Sequence, residues 1–300
     1  STDVTGSVAL GNTSYGIQIN SDASNNVIGG PAAGAGNLVA YNSSAGVVIT
    51  DATTTGNVIL SNSFTSNGGL AIDLGADGVT LNDVGDADTG PNNLTNFVDL
   101  STATTTGSEL RLSGALSAVA NTYYVVQVYA SSVGDPSGYG EGTTYLGAIN
   151  VPVGATGSVS GRYTLSVAVA AGAVITSTAT RTDSSYTTYY ETSEFSNQVV
   201  ALAPGITVTP VSTTTTEAGG TASFTVVLNA APTATVTIPV SSSDTTEGTV
   251  STASLSFTTA NWNTPQTVTV TGVNDTLVDG NVAYSAVLGA ASSADTAYNG

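Results

Sequence analysis

The chain has 300 residues, 40% of them hydrophobic, enough to bury more than one core, yet only 8% are charged. Its 21 acidic residues face three arginines (Arg111, Arg162 and Arg181), and the resulting net charge of −18 excludes nucleic-acid phosphate and anionic lipid headgroups as partners. Absence of cysteine, histidine and lysine excludes disulfide scaffolds, thiolate metal sites, histidine-based triads and Schiff-base chemistry. No enzyme is expected. No stretch approaches the ~20 apolar residues of a membrane span, so membrane insertion is not expected either. The chain starts at Ser1 rather than methionine, and its composition suits an oxidising exterior. It is expected to be a processed part of a secreted precursor.

The first segment, residues 1–97, carries an internal repeat. "GNLVAYNSS" (Gly36–Ser44) and "GNVILSNSF" (Gly56–Phe64) align at an offset of 20, matching Asn37 with Asn57, Val39 with Ile59 and Asn42 with Asn62. Each unit is followed by an apolar alternation, "GVVIT" (Gly46–Thr50) and then "GLAIDL" (Gly69–Leu74), and "YGIQIN" followed by "NNVIGG" is a looser copy. Short strands with asparagine turns at such a period predict stacked β coils, the asparagines laddering from coil to coil.

The stretch Ile72–Asn93 then gathers Asp73, Asp77, Asp83, Asp86 and Asp88 without one positive charge. Like charges crowded on a flexible loop repel unless a cation sits among them. Ca²⁺ takes six to eight oxygens from carboxylates, amides and backbone carbonyls. Asp77, Asp83, Asp86, Asp88 and Asn92 are the candidate ligands, with Gly85 and Gly90 to bend the chain. The fragment lacks the terminal glutamate of an EF-hand, and the plain alternative is a solvated acidic turn. Asp73 with Asp77 could in principle cleave a glycosidic bond, but a few short coils with no base to neutralise an acidic sugar argue against it.

The run from "GNVILSNS" through "NGGLAIDLGADGVTLND" to "DADTGPNNL" resembles the final coils of right-handed parallel β-helix repeats in large bacterial surface proteins, over roughly residues 26–97. That resemblance implies that the acidic stretch closes the end of a β-helix.

Residues 98–203 change character. "ELRLSGAL", "YYVVQVYA" (Tyr123–Ala130) and "RYTLSVAV" (Arg162–Val169) alternate apolar and polar residues between turn clusters such as "VGDPSGYGEG", which predicts an immunoglobulin-like β-sandwich. Glu141 and Glu194, single acids among aromatics, are expected to accept hydrogen bonds from loop backbone or a tyrosine hydroxyl rather than to bind metal. The tyrosines on strands read as core, whereas "SSYTTYYE" (Ser184–Glu191) is loop-like and is where a carbohydrate would stack. "GYGEGTTYLG" and "TSEFSN" resemble the sandwich module that follows such β-helix ends.

Beyond the linker "ALAPG", residues 206–300 form another strand series, with Ala222, Phe224, Val226 and Leu228 on one face and "NVAYSAVLG" as a late strand. The stretch "TTTEAGGTASFTVVLNAAPTATVTIPV" resembles the Calx-β family, a Ca²⁺-binding sandwich of cell-surface proteins. The resemblance implies calcium roles for Glu217, Asp275 and Asp279, with Asp244 and Glu247 weaker. The segment stops at "AYNG", one strand short of such a sandwich. Self-association is therefore expected, through donation of Ser1–Leu10 to the third segment of another copy or through side-by-side packing.

Together these readings predict an all-β chain: C-terminal coils of a parallel β-helix, then two β-sandwiches in tandem. They predict an extracellular structural protein, a calcium-stabilised subunit of a surface fibre, filament or surface layer. The alternative is a cell-surface adhesin module that binds a carbohydrate or receptor.

Overall fold

A computed structural model describes residues 9–274 and 280–300 of the chain. These residues are almost wholly strand and turn, with two short 3-10 segments, so the all-β expectation holds. The chain divides into two compact units, Ser1–Ala201 and Leu202–Gly300.

The first unit opens with seven three-residue strands: β1 (Ile17–Ile19), β2 (Val27–Gly29), β3 (Leu38–Ala40), β4 (Val47–Ile49), β5 (Val58–Leu60), β6 (Ser63–Thr65) and β7 (Ile72–Leu74). They pair in parallel as β1-β4-β7, β2-β5 and β3-β6. Alternation along each strand sends its first and third residues, or its middle one, inward. Ile19, Val39, Val47, Ile49, Ile59, Phe64, Ile72 and Leu74 meet there in one buried cluster.

Left-handed residues mark the corners. Asn25, Tyr41, Gly56, Ser61 and Ser66 have φ of 60°, 60°, 72°, 58° and 55°, and each directly precedes an asparagine. A non-glycine residue in that conformation costs roughly 1–2 kcal/mol. The following asparagine offsets the cost by hydrogen-bonding across the stack: Oδ1 of Asn57 accepts from Asn26 N at 3.1 Å, and Oδ1 of Asn62 accepts from Asn37 N at 2.9 Å.

Stacking corrects the offset of 20. Asn37 sits over Asn62 and Asn42 over Asn67, 25 residues apart, while Asn26–Asn57 and Asn12–Asn42 are separated by 31 and 30. Val39 pairs with Phe64, not with Ile59. An asparagine followed by a short apolar strand recurs in each of the three ladders, so similarity appears between neighbouring strands in sequence as well as between paired ones.

The unit continues with β8 (Asp99–Thr105), β9 (Leu110–Ser117), β10 (Tyr123–Ser131), β11 (Thr144–Pro152), β12 (Ser158–Leu165), β13 (Val174–Thr182), β14 (Tyr189–Thr192) and β15 (Val199–Leu202). In place of the two separate sheets of a sandwich, one hydrogen-bonded path runs β11-β10-β13-β15-β8-β9-β12, with β14 on β13. It encloses a single core, in which Leu112 of β9 and Tyr163 of β12 join Val126 of β10 and Ile175 of β13.

The second unit has β16 (Ile206–Ser212), β17 (Thr221–Leu228), β18 (Val236–Ser242), β19 (Gly248–Val250), β20 (Ser254–Phe257), β21 (Gln266–Gly272), β22 (Ala286–Leu288) and β23 (Ser292–Ser293). Two sheets, β16-β17-β21-β19 and β20-β18-β22 with β23 on β18, close on Val226, Val236, Ile238, Phe257 and Val268. Strand β18 alternates buried and exposed residues cleanly. All of β16 is exposed, and an open groove of about 950 Å³ lies beside it, floored by Phe224, Val270 and Leu288. Of the expected strand "NVAYSAVLG" only Ala286–Leu288 pairs, on β18; Val282 remains 40% exposed.

Candidate metal centre and the edge of the parallel strands

After β7 the chain leaves the parallel strands at Gly75 (φ 115°) and rejoins the asparagine ladder at Asn92. The excursion lengthens the last ladder step to 35 residues, against 31 for the step before it. Within it the carboxylates of Asp83, Asp86 and Asp88 come within 4.8 Å of one another, the one such cluster among the described residues. Positive φ at Gly85 (79°) and Asp86 (56°) folds the loop back on itself.

Neighbouring segments fix each acid. The Asp83 carboxylate accepts from Ala87 N at 3.1 Å, and Asn96 Nδ2 donates to the Asp83 carbonyl at 2.9 Å. Asp86 accepts from Asn96 N at 2.7 Å and from the Tyr124 hydroxyl at 3.4 Å. Gly85 N donates to Ser117 Oγ at 2.8 Å, which ties the loop to β9 as Tyr124 ties it to β10. Burial pushes the Asp86 carboxyl up to about 6, with the charges of Asp88 and Asp83 adding to the rise. Burial and then Asp83 also raise Asp88, whose Oδ1 is buried without a hydrogen-bond donor. Three hard oxygen donors, one of them orphaned, fit a divalent cation such as Ca²⁺.

The other candidate ligands lie elsewhere. Asp77 is exposed near Asp73, outside the cluster; Asp73 is itself 9% exposed, raised by burial first, and its Oδ1 has no donor. Asn92 belongs to the ladder. Its Oδ1 accepts from Asn57 N at 2.8 Å, and its Nδ2 donates to the carbonyls of Asn57 at 2.7 Å and Thr192 at 2.9 Å. In the second unit Glu217 lies on the rim of the β16 groove, as does Glu247. The half-buried Asp244 holds a lowered carboxyl through Thr246. Asp275 and Asp279 lie outside the described residues. The tyrosine-rich loop is partly committed to the fold: Tyr186 meets Tyr123 edge-on at 5.8 Å, and the Arg181 guanidinium, paired with Glu191, lies 4.6 Å from the Tyr190 ring centre.

A second arrangement has no counterpart in the sequence pattern. The far edge of the parallel ladders, where a further strand would pair, is met by the curled sheet instead. Thr192 Oγ1 accepts from Ile59 N at 2.9 Å, the Gly142 carbonyl from Phe64 N at 2.9 Å, and Gln127 Oε1 from Ser61 N at 2.8 Å. Glu141 accepts from Ser66 N at 2.7 Å and Asn67 N at 2.9 Å, and Glu194 from Leu74 N at 2.8 Å and Thr80 N at 2.9 Å. Glu141 stands to Asn67 N as the Asn67 oxygen stands to Asn42 N. Tyr129 and Phe195 close the buried cluster of the parallel strands, Phe195 packing edge-on against Phe64 at 5.6 Å. Burial is also the first cause that lifts Glu194, to about 8, with Asp73 contributing, and burial raises Glu141 as well. The expectation that these two glutamates accept backbone hydrogen bonds is met. Their partners lie 74 to 120 residues away, which no local pattern reveals.

No model of a known protein family matches the chain, and no curated protein is similar to it.

Proposed function

We propose that this chain is a structural protein of a cell exterior, a calcium-stabilised part of a surface fibre, filament or surface layer. In this reading the three parallel ladders are the closing coils of a β-helix, the curled sheet is an immunoglobulin-like module that seals them, and the second unit is a Calx-β-like sandwich. The observation that carries it is the sealed coil edge. Unpaired strand edges recruit other chains, and here backbone and side-chain oxygens from 127 to 194 occupy the donors at that edge. Such a joint makes coil and sheet one stiff body, a mechanical design. Ca²⁺ held by Asp83, Asp86 and Asp88 would neutralise the loop at the same joint. Self-association would use side-by-side packing, or a strand received in the groove beside β16. Ser1–Val8, most of the expected donor segment, lie outside the described residues, and Asn12 N is already bound to Asn42.

Electron microscopy and sedimentation of the full chain, with millimolar calcium and with chelator, test this. Ordered assemblies that loosen on chelation are the expected result. A monomer at every concentration that binds glycans through Ser184–Glu191 would replace it with the adhesin reading.

A further inference from the structure

Between β10 and β11 the chain turns through "VGDPSGYGEG", which holds the one Asp–Pro bond of the sequence, Asp135–Pro136. Aspartate, proline and glycine at the first, second and fourth positions of such a turn are ordinary. So is the hydrogen bond that Gly138 N donates to the Asp135 carbonyl at 3.0 Å. A second donor is no part of a turn. Gln198, just before β15, reaches across and donates Nε2 to the same carbonyl oxygen at 2.9 Å. The Gly140 carbonyl, 2.7 Å from that Nε2, fixes the amide, and Gln198 N donates to the Gly138 carbonyl at 3.0 Å. Gly134 leaves the room, since a Cβ there would lie 2.1 Å from Gln198 Oε1. Asp135 Oδ1 accepts from Ser137 N at 2.7 Å, which draws the carboxylate along the Asp135–Pro136 bond. Pro136 itself is exposed.

Two donors on one carbonyl oxygen, the residue's own carboxylate within ring-closing reach of its carbon, and a proline nitrogen to leave are the parts of an acyl-transfer site. We propose that Asp135–Pro136 is a self-cleaving bond, opened in mild acid by the Asp135 side chain and faster in the folded chain than in the unfolded one. An oxygen of the Asp135 carboxylate bonds to the Asp135 carbonyl carbon and closes a ring. The carbonyl oxygen takes up the negative charge between Gly138 N and Gln198 Nε2. The Pro136 nitrogen, no longer conjugated, takes a proton from the acidic solvent, and the C–N bond breaks with its electron pair going to nitrogen. Water then opens the cyclic anhydride, leaving two carboxyl groups on Asp135 and a secondary amine on Pro136. Of the ionisable groups, Glu141 in the same connection feels the charge of Asp135, and residues 196–199, which pack on the turn, carry none. The cut separates β10 from β11 in sequence but not in space, because β10 lies between β11 and β13. Pieces 1–135 and 136–300 therefore stay together until they are denatured.

The test is the full chain held in mild acid, folded or unfolded in urea, and followed by intact mass under denaturing conditions. Folded chain should yield pieces 1–135 and 136–300 at least tenfold faster than unfolded chain, a buried oxyanion donor being worth about 10²–10³ in rate. Gln198→Ala should bring the folded rate down to the unfolded one, and Gly134→Ala, whose Cβ displaces the same amide, should do likewise. Asp135→Asn removes the nucleophile and Pro136→Ala the leaving group, and each should slow cutting at this bond to the unfolded rate or below. Far-UV circular dichroism in the same acid checks that each variant is folded. Folded chain that is cut no faster than unfolded chain overturns the proposal. So does a fast folded rate that survives both Gln198→Ala and Gly134→Ala, or that survives Asp135→Asn.

Discussion

Glu194 makes folding sensitive to pH in a direction that can be worked out. Its carboxyl is 2% exposed and is lifted from 4.5 to about 8 in the folded chain, chiefly by burial. As pH rises the unfolded chain therefore loses this proton first. The contribution of Glu194 is fully present below about pH 4.5, declines through the interval, and is lost above about 8. Every tenfold gain in proton affinity on folding is worth about 1.4 kcal/mol, so the whole decline is on the order of 5 kcal/mol. Asp86 acts in the same sense and finishes near 6. Urea unfolding in chelator at several pH values, followed by far-UV circular dichroism, measures the slope. Trp262, the one tryptophan, packs on the core of the second unit, so its fluorescence reports that unit separately. Glu194→Gln should flatten the first unit's slope between pH 6 and 8. Equal slopes in the wild type and the variant, or a first unit that gains stability across that window, would refute the argument.

Calcium at a hundredfold excess over its Kd should raise the first transition by about 2.7 kcal/mol for one site, and Asp86→Ala with Asp88→Ala should remove the rise; a calorimetric melt unmoved by calcium counts against the site. In chelator, Asp88→Asn should be neutral or stabilising, since it relieves repulsion from Asp83; a loss above about 1 kcal/mol in urea melts would show the orphaned carboxylate to be structural. Glu141→Ala strips the acceptors from Ser66 N and Asn67 N and should cost about 2–4 kcal/mol, read as faster hydrogen exchange at those two amides. Native trypsin digestion should be slow at Arg111, Arg162 and Arg181, all of which lie within paired strands; rapid cutting at Arg111 would contradict the pairing of β9 with β12.

Strand alternation is legible in the sequence because it is local. "YYVVQVYA" forms β10, with Tyr124, Val126 and Val128 in the core. The asparagine motif is legible as a device but not as a period, since the spacing between paired strands depends on connections such as residues 31–35, whose length varies from one ladder to the next. Nearness in sequence groups Asn92 with the acids. A buried amide with three hydrogen bonds follows its partners instead, and those partners are Asn57 and Thr192. The late strand shrinks to Ala286–Leu288 because a strand exists only where a neighbour pairs with it, and sequence alternation cannot supply the neighbour.

The acidic loop and the sealed edge of the parallel strands belong to one electrostatic problem. The excursion from Gly75 to Asn92 is pinned by Glu194 near its start, through Leu74 N and Thr80 N, and by Asp86 further on, through Asn96 N and Tyr124. Both carboxyls are buried enough to resist ionisation. A chain with three arginines has few side chains to neutralise them, and Arg181 is already engaged by Glu191. Two remedies remain. Glu194 accepts three protein donors, counting the Thr80 hydroxyl, and is lifted to about 8, so at neutral pH it is relieved by keeping its proton. Asp86 has two carboxylate neighbours within 4.8 Å and rises only to about 6, so at neutral pH it is largely ionised, and the proposed cation would relieve it. Acid should thus stabilise the β7 end of the excursion and, if the proposed calcium is held by Asp83, Asp86 and Asp88, release it from the middle, so that chelation at pH 7 loosens the middle alone. Hydrogen exchange at Asn96 N and Leu74 N, read side by side, separates the two. Chelation that frees Leu74 N as readily as Asn96 N would mean that the loop moves as one piece and that this division is wrong.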